Sequence, residues 1–378
     1  MIDFARIRNR HAYSTKSSAK PGKSDKIGVA LPTNITEEPK ILSRDQAKMS
    51  GSITDELITK YTNKTILITG GNGYLACNVI RALKSVECTI LRLIRPGKEV
   101  MPIDGVCKIV DLRGDLQSSN LWEETLSGVD IVYHFAAQTS TYIANADPVR
   151  DIQANVLPMV QLLETCKKKD WSPTICFAGS VTEMGIPHQV PVDESHPDFP
   201  VTIYDLHKQM AENYLKYYVS QGFVKGVSLR LPNIYGPGPK SSALDRGIIN
   251  LMIKKAINGD DLTVYGSGEY LRDYLHVDDA MSAFLLAPVH INQMNGEHIV
   301  LGTGEGHSIA QAMHLIAEKV LQKTLKRVSV IHIEPPTPQS SIESRNFVGN
   351  YKKFQAITGW SPVFSLEKGI NQTLDYYL

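Results

Sequence analysis

The chain has 378 residues, 42% of them hydrophobic and 21% charged, proportions that fit a folded protein and exclude wholesale disorder or a fibrous repeat. A formal net charge of +1 removes any general electrostatic ground for a nucleic-acid partner. Five cysteines, odd in number and without a CxxC spacing, argue against a disulfide framework or a zinc site, and no apolar run reaches the roughly 18 residues of a membrane helix, so the expected location is cytoplasmic.

Residues 1–60 mix Lys, Arg, Ser, Pro and Asn without a sustained period and read as an N-terminal extension, partly disordered or packed on a partner. Its first two dozen residues, basic, serine-containing and poor in acids, also have the composition of an organelle transit peptide. A short helix is expected over 53–61. From Thr65 to Thr69 an apolar run of strand length turns at once into glycines. Helix and strand signals then alternate: a helix through 79–83, strands at 89–94 and 107–110, a helix at 121–126, a strand at 131–135, a helix over 153–168 and a strand at 174–177. A helix over 205–220 and a strand at 226–230 complete the series. This rhythm predicts an α/β fold, a Rossmann-type doubly wound parallel sheet, over residues 61–238. Past Pro239 the spacing becomes irregular, as expected of a smaller α/β substrate-binding region over 239–378.

The run from Thr69 to Ala76 (TGGNGYLA) lies between a predicted strand and a predicted helix, the context that gives a glycine-rich turn its meaning. Gly70 permits the tight turn, Gly73 lets the backbone approach a pyrophosphate, and Ala76 lets the helix pack close to the sheet. The phosphates would rest on the helix N-terminus, where free N–H groups and the helix dipole favour anions. Expected cofactor contacts are Gly70, Asn72, Gly73, Tyr74, Leu75, Ala136, Asp115 and Leu116. NAD-specific turns usually place an acid after the second strand, but this one reads Arg92-Leu93-Ile94-Arg95, so Arg95 or Arg92 is a candidate partner for a 2'-phosphate. That tilts the cofactor reading, NAD or NADP, towards NADP.

Tyr204 is the one tyrosine among 16 with a lysine four places on, Lys208, which shares its helix face. A phenol with an ordinary pKa near 10 is a poor base at neutral pH, and a neighbouring ammonium favours its ionised form. Upstream, the apolar strand ends at Ser180, where a hydroxyl faces the cofactor cleft and is placed to hydrogen-bond a reacting oxygen; Thr182 is the second candidate. No metal site is indicated.

Gly70-x-x-Gly73-x-x-Ala76, residues 134–137 (HFAA), Ser180 and Tyr204-x-x-x-Lys208, in this order, resemble the extended short-chain dehydrogenase/reductases, and among them the nucleotide-sugar epimerases, dehydratases and ketoreductases. The likeness runs from about Lys64 to the C-terminus and is sharpened by residues 229–238 (LRLPNIYGPG), 266–279 (GSGEYLRDYLHVDD) and 345–350 (RNFVGN). It implies catalysis by Ser180, Tyr204 and Lys208, contacts of Asn233 and Arg272 with a nucleoside-diphosphate sugar, Arg345 as a second anion contact, and a homodimer. Dehydratases of the family carry an Asp-Glu pair where this chain has Val181 and Thr182, which disfavours water elimination. The implied chemistry is hydride transfer at a sugar carbon, as an epimerase or as an NADPH-dependent keto-sugar reductase. Two other readings are weighed against it. A non-catalytic dinucleotide sensor need not keep Ser180, Tyr204 and Lys208 together, and a steroid-type substrate has no use for a diphosphate clamp.

Overall fold

A computed structural model describes residues 57–100, 102–239, 247–335 and 341–378. The proposed extension therefore lies outside the described residues except for its last few, where a helical turn covers 57–61. Seven strands form one sheet: β1 (Thr65–Thr69), β2 (Thr89–Ile94), β3 (Lys108–Arg113), β4 (Ile131–His134), β5 (Thr174–Ser180), β6 (Lys225–Leu231) and β7 (His298–Val300). Their spatial order is β7-β6-β5-β4-β1-β2-β3, and every pairing is parallel.

Buried parallel strands must be apolar on both faces, and β1 and β5 are buried along nearly their whole length. One face packs Val79, Ile80 and Leu83 of helix α1 (Tyr74–Leu83) against Phe284 and Leu286, with Trp360 behind. The other packs Leu162 and Cys166 of α2 (Leu157–Lys169) and Ala211 and Leu215 of α3 (Ile203–Ser220) against Leu67, Val132 and Ile175. The sequence pattern suggested one helix over 153–168, but there are two, Pro148–Asn155 and Leu157–Lys169. Asp147 caps the first through the Arg150 N–H, and Pro158 sits in the opening turn of the second, where it needs no N–H partner.

The strand order reverses direction at the β1/β4 boundary, which opens a crevice at the carboxyl ends of the strands. Register aligns those ends, because Thr69 pairs with His134 and His134 with Phe177. The glycine turn after β1, residues 135–137 after β4 and Ser180 at the end of β5 therefore share one edge, on strands of which the outer two run about 10 Å apart. Past residue 239 the chain returns to the sheet as β7 and also builds a separate apolar cluster from Ile253, Val264, Met313, Ile316, Ile370 and Leu374.

Candidate active site

The glycine turn is close-packed and bare. Gly70 has φ +66°, and a Cβ there would meet the Ala136 backbone at 3.0 Å; a Cβ on Gly73 would meet the Gly70 carbonyl at 2.8 Å. Buried Thr69 ties the turn to the β4 end, its hydroxyl oxygen accepting the N–H groups of Phe135 (3.1 Å) and Ala136 (3.0 Å). Gly73 caps α1 without a side chain, and the first turn of α1 carries no acid, so among the described residues no side-chain cap competes with an anion for its N–H groups.

The expected cofactor residues divide by environment. Asn72 donates to the Glu99 carbonyl (2.6 Å) and so draws the loop after β2 beside the turn. Tyr74 donates to the Gly236 carbonyl (2.8 Å), its ring lying against Gly238, so its side chain braces the loop beyond β6. Leu75 packs into the core, and exposed Asp115 closes its own turn by accepting the Gln117 N–H. The Leu116 carbonyl accepts the Trp122 indole N–H. Of the two candidate arginines, Arg92 lies within β2, is buried and donates to Asp111 on β3 from Nε (2.6 Å) and Nη2 (3.0 Å), directly beneath Gly71. It is a structural prop, which leaves Arg95, exposed and without a hydrogen bond or ion pair among the described residues.

The catalytic candidates converge at the junction of β5 and α3. Thr202 caps α3 by accepting the Asp205 N–H (3.2 Å), and Asp205 returns by accepting the Thr202 N–H (3.1 Å), which fixes Tyr204 in the opening turn. Tyr204 and Lys208 are both buried, and the Lys208 ammonium sits 4.0 Å over the centre of the Phe177 ring on β5. Burial pulls that ammonium down to about 8, against the upward pull of Glu183, Glu212 and Asp151. Ser180 and Thr182 share a hydrogen bond between their hydroxyls (2.8 Å), and Thr182 also lies beside the Asp205 carboxyl. Ser180 is thus linked through Thr182 to the residue next to Tyr204.

On the substrate side, Asn233 is half-buried, its N–H donating to the Asp273 carbonyl while its side-chain amide has no hydrogen bond among the described residues. Arg272 is buried and engaged: Nη1 donates to the carbonyls of Leu271 and Arg345, and Nη2 to that of Glu343. It therefore holds the 343–345 segment; burial raises the Asp205 carboxyl above its ordinary value, and buried Arg345 on that segment lies close enough to offset part of that rise. One arginine places the other beside the start of α3.

Arg230 and Glu183 are among the buried charges that the sequence does not mark out. Arg230, fully buried on β6, donates to Asp198 (2.5 and 2.7 Å) and Glu212 (2.7 and 3.1 Å), and stands 3.4 Å from Glu183. Glu183 in turn accepts the Ser180 N–H at 2.7 Å. The available signal was an arginine at an interior position of a strand whose neighbours Leu229 and Leu231 are apolar, a pattern that demands a buried partner.

A parallel sheet with a bare glycine turn at its switch point, and a tyrosine–lysine helix beside a strand-end hydroxyl, define a dinucleotide-dependent hydride-transfer enzyme of the extended short-chain type. The chain belongs to the NAD dependent epimerase/dehydratase family, whose model matches residues 66–302. It is similar to a putative UDP-glucose 4-epimerase of Methanocaldococcus jannaschii, 28% identical over 82% of this chain and 97% of that one. It also resembles UDP-glucuronic acid decarboxylase 1 of Xenopus tropicalis, 26% identical over 85% of this chain and 74% of that one. Among solved structures, UDP-glucose 4-epimerase of Thermotoga maritima with UDP-glucose matches with a TM-score of 0.73 at 26% identity, over 83% of this chain and 98% of that one. The Thermus thermophilus UDP-glucose 4-epimerase in complex with NAD matches with a TM-score of 0.70 at 26% identity, over the same shares.

Proposed function

We propose that this protein is a nucleoside-diphosphate-sugar epimerase that inverts a ring carbinol, position 4 of a UDP-hexose in the first instance, by removing and returning hydride. The observation that carries the reading is the clamped junction of β5 and α3, where Ser180, Tyr204 and Lys208 meet the carboxyl edge of the sheet beside the glycine turn. Similarity to UDP-glucose 4-epimerases supports the substrate class.

The bare turn and uncapped α1 fit a dinucleotide pyrophosphate held by Gly70, Gly73 and the first N–H groups of α1. Bound there, a nicotinamide dinucleotide would supply reversible hydride acceptance. The chain's residues handle the proton: Lys208 favours the ionised phenol of Tyr204, Tyr204 takes the proton from the sugar hydroxyl, and Ser180 donates a hydrogen bond to the same oxygen. Asn233 and Arg345 orient the diphosphate. Incubating purified protein and NAD with UDP-glucose, and analysing the sugar product, tests this; recovery of every member of a panel of UDP-hexoses unchanged refutes it.

Keto-sugar reduction is the second reading, and Arg95 is what favours it. The family is NAD-dependent, yet this guanidinium, without a partner among the described residues, stands at the strand end where an acid would bind a ribose hydroxyl, and it suits a 2'-phosphate. We expect Arg95→Glu to weaken NADP binding at least about tenfold while leaving NAD within about twofold, measured by fluorescence titration. Equal effects on both would make Arg95 a solvated surface charge.

The outer face of α3 supports a homodimer. Met210, Asn213, Tyr214 and Tyr217 line a shallow hollow, with Tyr214 and Tyr217 exposed and exposed Leu206 one turn before Met210. Sedimentation at micromolar concentration should give twice the chain mass, and Tyr217→Lys should return it to the monomer value; a monomeric parent protein removes this assignment.

A further inference from the structure

The loop that leaves β4 is tied to α3 by a buried polar network. Its residues 135–137 abut the glycine turn, where the Thr69 hydroxyl accepts the Phe135 and Ala136 N–H groups and a Cβ on Gly70 would meet the Ala136 backbone. The next residue, Gln138, is bonded at every polar group. Its N–H donates to Oδ1 of Asn155 (3.0 Å) and its carbonyl accepts from Nδ2 of Asn155 (3.0 Å). Its Oε1 accepts the Ser140 N–H, and its Nε2 donates to the Ser140 carbonyl (2.8 Å) and to Oδ1 of Asp151 (2.7 Å). The same Asp151 oxygen accepts from Nδ2 of Asn155 (3.0 Å), both residues being buried one turn apart on helix Pro148–Asn155. The other carboxyl oxygen of Asp151 lies 2.7 Å from Nδ1 of His207, which is buried on α3. A second tie runs from helix Thr141–Ala146, which Ser140 caps, to α3, where Oδ1 of Asn145 accepts the Ile203 N–H (3.1 Å). The two ties reach α3 one residue before Tyr204 and one residue before Lys208.

We propose that Asp151 and His207 are positioning residues whose buried bond locks the cofactor-side loop to α3, so that Tyr204 and Lys208 keep their place relative to a dinucleotide seated on the glycine turn. This rests on the epimerase reading of the site. Strand register fixes the ends of β1, β4 and β5 against one another, but the spacing between the loop and the helix is set by side chains. Every side-chain polar atom of Gln138, Asn155 and Asp151 is used, and a buried network satisfied in this way holds one arrangement. Hydride and proton transfer need that precision, because a displacement of about 1 Å caused away from the reacting atoms can cost about a hundredfold in rate.

Two variants of one residue separate the bond from the bulk. His207→Leu fills much of the ring's space and removes the polar partner of Asp151, whereas His207→Asn carries an amide where the ring carries Nδ1 and can remake the bond as donor or acceptor. In full-length protein saturated with NAD, His207→Leu should lower kcat about tenfold to a hundredfold with KM for UDP-glucose within about twofold, and His207→Asn should recover kcat to within about threefold of the parent. Amide hydrogen exchange reads the tie without any substrate: in His207→Leu the amides of residues 138–143 should exchange at least about fivefold faster, although the change is on α3. Gln138→Met cuts the network at its loop end, should lower kcat to the same extent, and carries the test if His207→Leu does not bind NAD. Unchanged exchange at 138–143 in His207→Leu, a kcat within about twofold of the parent, or a failure of His207→Asn to recover the lost rate overturns the proposal. A parent protein that turns over no UDP-hexose while the exchange of 138–143 responds to residue 207 refutes the epimerase reading instead and leaves the tie standing.

Discussion

Tyr204→Phe is expected to lower kcat about 10²- to 10⁴-fold while NAD and UDP-sugar still bind, because it deletes one oxygen and leaves the packing intact. The ring is buried in the opening turn of α3, and that turn is secured by the reciprocal Thr202 and Asp205 bonds, neither of which uses the phenol. A small loss of kcat, or a loss confined to KM, would remove Tyr204 as the acid–base group. Measuring kcat and KM separately is therefore essential, since truncation that acts only in the transition state lowers kcat and kcat/KM together.

Arg230→Met should cost about 3–5 kcal/mol of folding stability, the scale for removing one partner of a buried charge cluster. The guanidinium holds Asp198 and Glu212 by direct hydrogen bonds and Glu183 by proximity. Although burial pushes the Glu212 carboxyl up, Arg230 and Lys216 bring it down to about 2. Burial likewise raises Asp198, and Arg230 outweighs it. With the guanidinium gone, these buried acids hold their protons more tightly in the folded than in the unfolded chain. For such groups the stability contribution is present below the unfolded pKa and lost as pH rises through the folded pKa. The deficit of the variant should therefore be larger at pH 8 than at pH 5, as read from denaturant midpoints. A deficit independent of pH would mean that packing, and not charge, is what Arg230 supplies.

The sheet was legible because buried parallel strands appear as short apolar runs between helix-length segments, and Thr65–Thr69, Thr89–Ile94 and Ile131–His134 are such runs. β7 was not legible: three residues carry no period, and only pairing with β6 defines them as a strand. The proposed catalytic residues could be picked out from chemistry and spacing, since Tyr204 and Lys208 are one helical turn apart. What linear order hides is partnership across strands. Arg92 read as a free cation until register placed it opposite Asp111, and Arg272 read as a diphosphate contact before its bonds to the 343–345 segment were seen. Glu183 and Arg230 lie nearly fifty positions apart in the chain, and only the adjacency of β5 and β6 joins them.

In the proposed mechanism hydride leaves a sugar carbon and returns to the same carbon, with Tyr204 managing the proton. UDP-glucose deuterated at position 4, incubated with the protein and NAD in ordinary water, tests it most directly. Inverted sugar that keeps its deuterium at carbon 4 is the expected product; inversion with the label exchanged for solvent hydrogen, or no inversion at all, contradicts the mechanism.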